Sequence, residues 1–325
     1  ENTTYYASLN YRKMNGMDLR GGREFVNGTF RLNTKALNDK LDFSFMLVNS
    51  YDDRDFANYG AIAQSLNMNP TYPVRNPDGS FYQRPDVPFG LQWNPVASTE
   101  HNTNNSKEKR FLSTATVSYH IMPSLTASLS YSLLKNDFLE GMYVSREDFF
   151  QQRDGIGGAA SRGEMDETNN ILEGTLSYTK QIDAHSFDVI AGYSYQNNFN
   201  EGFSAGNNNF NTDAFLYYNI GAGTALNNLT PNFNRSGVFM NSYANERTLV
   251  AYFGRIIYDF QERYLLNLSI RREGASVFGS ENKWGTFYGV SGGWVLSKEN
   301  FLSDAVFLKN LKVRAGYGVT GNQES

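Results

Sequence analysis

The sequence contains no cysteine. A disulfide framework is therefore excluded, and so is any metal or redox site built from thiols. Long hydrophobic runs are missing as well, because no run of apolar residues exceeds five, as in Leu249–Phe253. A membrane-spanning helix needs about 20 consecutive apolar residues, so the sequence excludes such a helix.

A basic charge balance is also lacking. The net charge is −4, whereas a nucleic-acid partner requires a basic face, so no nucleic-acid partner is expected. The chain starts without a methionine or a signal peptide, and the residues from Glu1 to Tyr5 already have the pattern of a strand. We interpret the sequence as an internal piece of a longer protein.

The composition that is present favours strands joined by turns. Aromatic residues make up 15% of the chain, and there are 29 glycines. Apolar and polar residues alternate in many segments, which is the period of a strand with two different faces. The clearest example runs from Leu125 to Leu133, where Leu, Ala, Leu, Tyr and Leu alternate with Thr, Ser, Ser and Ser.

This alternation predicts an all-β chain of eleven antiparallel strands. They are expected at residues 3–15, 24–36, 40–51, 109–121, 125–135, 169–181, 185–196, 246–258, 264–278, 284–296 and 308–319. Most are long enough to cross a bilayer at a tilt, which takes about 9–11 residues. In the strand Leu249–Tyr258 both faces are half apolar, so the sequence leaves its outward face open.

The lengths of the connections alternate along the chain. Short turns are predicted at Leu37–Asp39, Met122–Ser124, Asp183–Ala184 and Asp259–Arg263, and long loops at Asp52–Glu108, Asn136–Thr168 and Asn197–Asn245. The connection Ser297–Phe307 is expected to hold a helical turn. Short turns on one side and long loops on the other are typical of a transmembrane β-barrel. The alternative is a soluble β-sandwich or a propeller.

In a barrel, the polar strand faces would point into the lumen. These faces carry Asn27, Arg31, Asn33, Asn267, Ser269 and Arg271. In large transporter barrels the lumen is filled by a plug. Lumen-facing arginines would hold such a plug by hydrogen bonds more readily than they would bind substrate. Candidate substrate contacts are instead the aromatic residues of the proline-rich segment 67–93, namely Tyr72, Phe81, Tyr82 and Trp93. The alternative is that these rings pack the loop itself.

Three motifs do not support catalysis or metal binding. Gly202–Gly206 matches G-x-S-x-G, but no helix signal follows it, as a nucleophile elbow would require, and we interpret it as a flexible loop. His101, His120 and His185 have no second histidine at a zinc-ligand spacing. Asp52–Asp55 lacks the glycine and distal glutamate of a calcium loop. No catalytic residue, cofactor or metal site is predicted, although calcium in a loop stays open.

The segment from Thr248 to Gln323 contains a series of short motifs, which begin around the turn Asp259–Arg263 and end in the run LKVRAGYGVTGNQ. In the order and spacing of these motifs, the segment resembles the barrel of SusC/RagA-type TonB-linked outer-membrane transporters. Glu273, Ala275 and Tyr288 depart from the usual Asp, Ser and Pro. Matching residues are Arg255, Tyr258, Asp259, Arg263, Tyr264, Arg271, Arg272, Gly274, Phe278, Gly279, Trp284, Gly285, Phe287, Ser291, Gly293, Trp294, Leu311, Lys312, Arg314, Ala315, Tyr317, Gly318, Thr320, Gly321, Asn322 and Gln323.

This resemblance implies that residues 1–325 form part of a 22-strand plugged barrel in the outer membrane, contacting its lipid, with the plug and the other strands absent. It implies TonB-driven uptake of glycan oligomers or peptides in a Bacteroidetes-like bacterium. The implied partners are a SusD-like surface lipoprotein, which covers the barrel, and the TonB complex, which acts through the absent N-terminal part. The chain is not expected to be an enzyme. A passive porin or structural barrel is the alternative.

Overall fold

A computed structural model of the chain describes residues 2–83, 93–228, 237–302 and 308–321. Within these ranges eleven strands form one antiparallel sheet, and their order in space is their order in sequence. The predicted fold class and number of strands are confirmed. The strands are β1 (Thr3–Asn15), β2 (Gly22–Ala36), β3 (Leu41–Asp55), β4 (Asn102–Met122), β5 (Leu125–Val144), β6 (Ala159–Ile182), β7 (His185–Asn208), β8 (Phe239–Phe260), β9 (Tyr264–Ala275), β10 (Trp284–Val295) and β11 (Lys312–Gly318).

Several strands extend much further than predicted at the end where the long loops lie. β5 continues to Val144 and β6 starts at Ala159, so the connection predicted over Asn136–Thr168 shrinks to 145–158. β7 continues to Asn208, inside the predicted loop Asn197–Asn245. Beyond the apolar zone both faces carry polar residues, and the alternation that marks a strand disappears although the backbone pairing continues. β11 is shorter than predicted and begins only at Lys312.

The register gives the sheet two chemically different faces. One row of paired residues across β2 to β10 is almost entirely apolar: Ala36, Leu41, Tyr119, Ala127, Leu176, Ala191, Gly254, Ile270 and Tyr288. We call this side the apolar face. A row on the opposite side, the polar face, contains Asn27, Ser50, Arg110, Asn136, Glu167, Asn200 and Asn245.

Aromatic rings mark two levels of the apolar face. Near the short turns, Tyr264 stacks on Trp294 with ring centroids 6.3 Å apart. Towards the long loops, Tyr252 stacks on Trp284 at the same centroid distance. Aromatic girdles at both edges of an apolar band are a feature of membrane β-barrels, because tyrosine and tryptophan combine an apolar ring with a polar group.

The connections between strands are short turns at one end of the sheet and longer loops with small helices at the other. Leu37, Asn38 and Asp39 all have positive φ, as do Gln261 and Glu262. The helices are α1 (Tyr59–Ser65), α2 (Pro95–His101) and α3 (Phe149–Asp154), and they all lie in the long loops. The helical turn expected in Ser297–Phe307 is present as 3-10 segments at Leu296–Lys298 and Asn300–Leu302. Among the described residues, no helix is both long and apolar enough to cross a membrane.

Candidate ligand-binding surface at the long-loop end

Asn94 organises the loop between β3 and β4. Its side chain caps α2 by accepting hydrogen bonds from the amides of Val96 and Ala97 at 3.0 and 3.2 Å. Its amide group donates to the carbonyls of Val74 and Tyr82 at 2.7 and 3.1 Å. Asn94 is buried, with 4% of its surface exposed. One side chain therefore connects α2 to both sides of the turn at residues 76–80.

The four predicted contact residues lie in this loop, and all four are half-buried. The rings of Tyr72 and Tyr82 contact each other with centroids 5.8 Å apart. Phe81 packs edge-on against His101 and lies 3.9 Å below the guanidinium of Arg75. Trp93 does not join them, because it packs edge-on against Phe150 of α3. The rings thus pack the loops together, and their contact with substrate stays a prediction. Pro85, Pro88 and Phe89 of the same segment lie outside the described residues.

Replacing Asn94 by alanine should loosen this loop. The variant loses a helix cap and the two hydrogen bonds to the carbonyls of Val74 and Tyr82, of which the Val74 carbonyl keeps the backbone amide of Tyr82 as a donor, at a cost of about 1–3 kcal/mol. Tryptic cleavage after Arg75 in the full-length protein should then accelerate by roughly 5- to 100-fold. Asn58→Ala is the matched control, because the Asn58 side chain caps α1 through the amide of Ala61 and donates to the Ser98 hydroxyl at 3.3 Å, whereas Asn94 donates to the carbonyls of Val74 and Tyr82. Equal cleavage rates in the two variants would contradict this role of Asn94.

A second loop, described over residues 209–228, folds back onto the apolar face of the strand extensions. Tyr217 is buried there with Tyr143, Ala160 and Phe210. The Tyr217 hydroxyl donates to the side-chain oxygen of Asn105 at 2.7 Å. This contact fixes the loop to β4 and β5, so part of the long-loop end is a packed surface.

Asp213 holds the same loop to the end of β5. Its carboxylate accepts hydrogen bonds from the hydroxyls of Tyr143 and Ser145 at 2.5 and 2.9 Å, and from the backbone amide of Arg146 at 3.2 Å. Burial raises the pKa of Asp213, but these hydrogen bonds and the Arg146 charge outweigh burial, so its pKa lies below the ordinary value. The ionised form is the one that holds the loop.

The contact made by Asp213 should therefore depend on pH. When folding lowers the pKa of a carboxyl group, the ionised group stabilises the folded state at pH values above the pKa in the unfolded chain, about 3.9. This stabilisation is lost as the pH falls through the pKa in the folded state. A fluorophore on Ala214→Cys, in a full-length protein otherwise free of cysteine, should report release of the loop only below about pH 4. Asp213→Asn should abolish the pH dependence between pH 6 and 3. A transition of equal size in that variant would assign it to another group.

The acidic segment Asp52–Asp55 belongs to β3 and not to a loop, contrary to the prediction. Successive side chains of a strand point to opposite faces of the sheet, so the carboxylates of Asp52, Asp53 and Asp55 cannot together surround one ion. Asp52 is buried on the polar face, where Arg23 donates to it at 2.6 and 2.7 Å and Arg54 forms a second ion pair. Asp53 lies on the other face and accepts from the Tyr51 hydroxyl at 3.1 Å. Within the described ranges, no three acidic or histidine side chains are grouped to hold a metal ion.

The G-x-S-x-G motif also lies in a strand, and its interpretation as a flexible loop is wrong. Residues 202–206 belong to β7 and pair on both sides, with β6 and with β8. The glycines serve the packing of aromatic rings: Tyr243 covers Gly202 and Phe239 covers Gly206. Sequence reasoning missed these two rings, and the signal that could have found them is the pair of glycines four residues apart in a long strand.

The histidines are each paired locally. The Nε2 atom of His101 lies 3.4 Å from the Glu147 carboxylate, and that of His120 lies 2.8 Å from Asp42. The Nδ1 atom of His185 lies 2.7 Å from the Tyr258 hydroxyl. The structure does not bring these three side chains together at one site.

The six polar residues predicted for the lumen share one face. Asn27, Arg31 and Asn33 of β2 and Asn267, Ser269 and Arg271 of β9 all lie on the polar face when the register is followed from strand to strand. The register also settles β8, in which Val250, Tyr252, Gly254, Ile256 and Tyr258 lie on the apolar face.

No protein-family model matches the chain, but its sequence is similar to those of several TonB-dependent receptors. TonB-dependent receptor P26 of Formosa agariphila is 29% identical over 328 residues, which cover 99% of this chain and 32% of the relative. TonB-dependent receptor SusC of Bacteroides thetaiotaomicron is 28% identical over 352 residues, with the same two coverages. The chain thus spans about a third of the length of the curated relatives it matches.

Solved structures show the same fold. The RagAB peptide importer in its closed-closed state matches the whole chain with a TM-score of 0.78 at 18% identity, and the match covers 36% of the importer chain. The open form of the ferric-catecholate import receptor Fiu from E. coli K12 matches 98% of the chain with a TM-score of 0.56 at 11% identity. At these identities the structural likeness describes the fold alone.

This chain has an antiparallel sheet with one apolar and one polar face, it shares the fold of these receptors and has sequence relatives among them, and it is a segment of an outer-membrane β-barrel. Its sequence relatives are TonB-dependent receptors, SusC among them, and not enzymes. The resemblance to SusC/RagA-type TonB-linked transporters is therefore confirmed. In such a barrel, the apolar face is the one suited to contact with lipid.

Proposed function

We propose that this chain forms part of the wall of a TonB-dependent importer for glycan oligomers or peptides. The observation that carries this proposal is the match of 99% of the chain to SusC, a TonB-dependent receptor, with a register that separates the apolar and polar faces across the sheet. The polar face would line the path of the substrate. No step of this function requires covalent chemistry from the residues of the chain.

The eleven-stranded sheet would be one part of a larger, closed barrel. Within the described residues, β1 and β11 are edge strands with one neighbour each. Unpaired backbone groups are not tolerated in lipid, so a spanning sheet must close on itself. We propose that residues 1–325 are part of the barrel domain, and that segments outside this sequence supply the other strands, up to a total of 22, and a plug. A SusD-like lipoprotein would cover the long-loop end, and TonB would act on the plug.

Uptake by cells tests this function. A strain that carries the full-length gene should accumulate fluorescent glycan oligomers or peptides, and deletion of the gene or of tonB should abolish the accumulation. Deletion of the gene for the partner lipoprotein should lower it. Uptake that continues without TonB would contradict the proposal and favour a passive porin. The two cargo classes are tested in parallel, so the result assigns the substrate class.

A further inference from the structure

A set of small and aromatic residues forms a depression on the polar face near the long-loop end. Three successive rows of paired residues cross β5, β6, β7 and β8 at this level. Two of the rows contain glycine next to an aromatic side chain, and the middle row is mostly polar. The rows are Phe138, Met165, Gly202 and Tyr243; Glu140, Gly163, Ser204 and Asn241; and Met142, Ser161, Gly206 and Phe239.

The two aromatic rings of β8 lie across the neighbouring strand. A Cβ atom placed on Gly202 would be 2.6 Å from Cε1 of Tyr243, and one placed on Gly206 would be 2.8 Å from Cδ1 of Phe239. The rings thus occupy the space that a side chain at position 202 or 206 would fill, so only glycine fits at these two positions. They still expose 43% and 44% of their surface. Each ring therefore rests against the wall and keeps a large surface open to the polar side.

The depression is small and has mixed chemistry. A cavity of about 280 Å³ lies beside Tyr243, and its lining includes Phe138, Glu140, Gly163, Ser204 and Asn241 but not Phe239. Sites for drug-sized ligands are usually about 300–1,000 Å³, so this volume suits one ring of a ligand and not a whole oligomer. The exposed carboxylate of Glu140 can accept hydrogen bonds, whereas Ser204 and Asn241 can both donate and accept them.

These groups favour a sugar over a peptide. A pyranose has an apolar ring face that stacks on an aromatic side chain, and its hydroxyl groups donate to carboxylates and exchange hydrogen bonds with amides. A peptide would gain most from a free strand edge, but β5 to β8 are paired on both sides. Tyr243 and Phe239 are four residues apart on β8, roughly 13 Å along the strand. A linear ligand with repeated rings can reach both platforms.

From this geometry we infer that Tyr243, Phe239, Glu140 and Asn241 form a subsite for a neutral oligosaccharide on the wall of the barrel, an inference that rests on the proposed import function. Tyr243 stacks on a sugar ring, and Glu140 and Asn241 hold its hydroxyl groups. The predicted loop aromatics Tyr72, Phe81, Tyr82 and Trp93 are not part of this subsite.

Binding to the purified full-length protein tests the subsite. The probes are neutral hexaoses of glucose, xylose and mannose and, as the competing class, a tryptic digest of casein, with affinities measured by calorimetry. Tyr243→Ala should weaken binding of the hexaose that the wild type prefers at least tenfold, which is about 1.4 kcal/mol. Tyr243→Phe keeps the ring and should stay within about threefold of the wild type.

Tyr252→Ala is the control for general damage to β8, because Tyr252 lies on the apolar face of the same strand. It should bind the hexaose like the wild type. Unchanged affinity in Tyr243→Ala, as expected if another part of the protein covers this wall, would overturn the subsite. Binding of peptides alone, or of no probe, would overturn its sugar specificity. TonB-dependent uptake is measured separately, so failure of the subsite can be distinguished from failure of the import function.

Discussion

Arginine at position 129 is expected to destabilise the barrel by about 2–4 kcal/mol. Leu129 is the middle of the five apolar-face residues of β5 that alternate from Leu125 to Leu133, and 54% of its surface is exposed to the lipid side. A guanidinium there must lose its hydration or distort the bilayer around it. The register partners of Leu129 are Val117 and Gly174, and neither can pair with the guanidinium charge.

The neighbouring position provides the matched control. Ser130 is one residue further along β5 and lies on the polar face, where its hydroxyl is 3.0 Å from that of Thr116 and its register partner on β6 is Glu173. An arginine at position 130 can stay hydrated and lie near Glu173, so Ser130→Arg should cost less than about 1 kcal/mol. The two variants differ only in the face that receives the charge.

Urea unfolding of the full-length protein in lipid vesicles measures the difference. Leu129→Arg should unfold at a clearly lower urea concentration than both Ser130→Arg and the wild type. In cells, the same variant should be depleted from the outer membrane. If Ser130→Arg were the more damaging of the two, the assignment of the faces would be reversed.

A methyl group at position 141 is expected to displace the loop that contains Tyr217. A Cβ atom on Gly141 would lie 2.5 Å from Cζ of Tyr217, whose side chain is buried and has only 3% of its surface exposed. A buried ring cannot move aside without disturbing Tyr143 and Phe210, so overpacking of this kind costs about 1–3 kcal/mol. Gly141→Ala should accordingly expose residues 209–228 to hydrogen exchange.

Two comparisons separate this clash from a general effect of alanine in a strand. Gly174→Ala adds the same methyl group on the same face, but the closest atom would be Cδ1 of Leu129 at 3.8 Å, so no loss of protection is expected. In the double variant with Tyr217→Ala the clash is absent, and Gly141→Ala should then add little to the effect of Tyr217→Ala. Additive losses in the double variant would show that Tyr217 is not the cause.

The chain has two zones in which stability depends on different interactions. Within the lipid band, stability depends on which face a side chain occupies. Above the band, it depends on specific contacts, such as Asn94 with two loop carbonyls and Tyr217 over Gly141. The proposed sugar subsite lies in the upper zone, where the regular alternation of apolar and polar residues is lost and glycine permits aromatic rings to lie against the wall.

The sequence by itself determined the number of strands, the short turns and the nature of the membrane-facing surface. Lipid requires an apolar side chain at every second position, and this requirement leaves a period of two in the sequence. Residues such as Leu125, Ala127 and Leu129 are therefore readable without a structure. The sequence also indicates the alternation of short turns and long loops, because only a few residues separate the strand patterns on either side of Asp183 and of Gln261.

Only the tertiary structure decided the rest. The extension of β7 to Asn208 depends on backbone hydrogen bonds, which carry no side-chain signal, and for that reason the sequence alone does not distinguish the G-x-S-x-G segment from a loop. The outward face of β8 depends on its register with β7 and β9, which no local pattern specifies. The covering of Gly202 by Tyr243 depends on pairing between residues 41 positions apart. Such contacts form between distant segments, so they follow from the pairing of whole strands and not from any stretch of sequence.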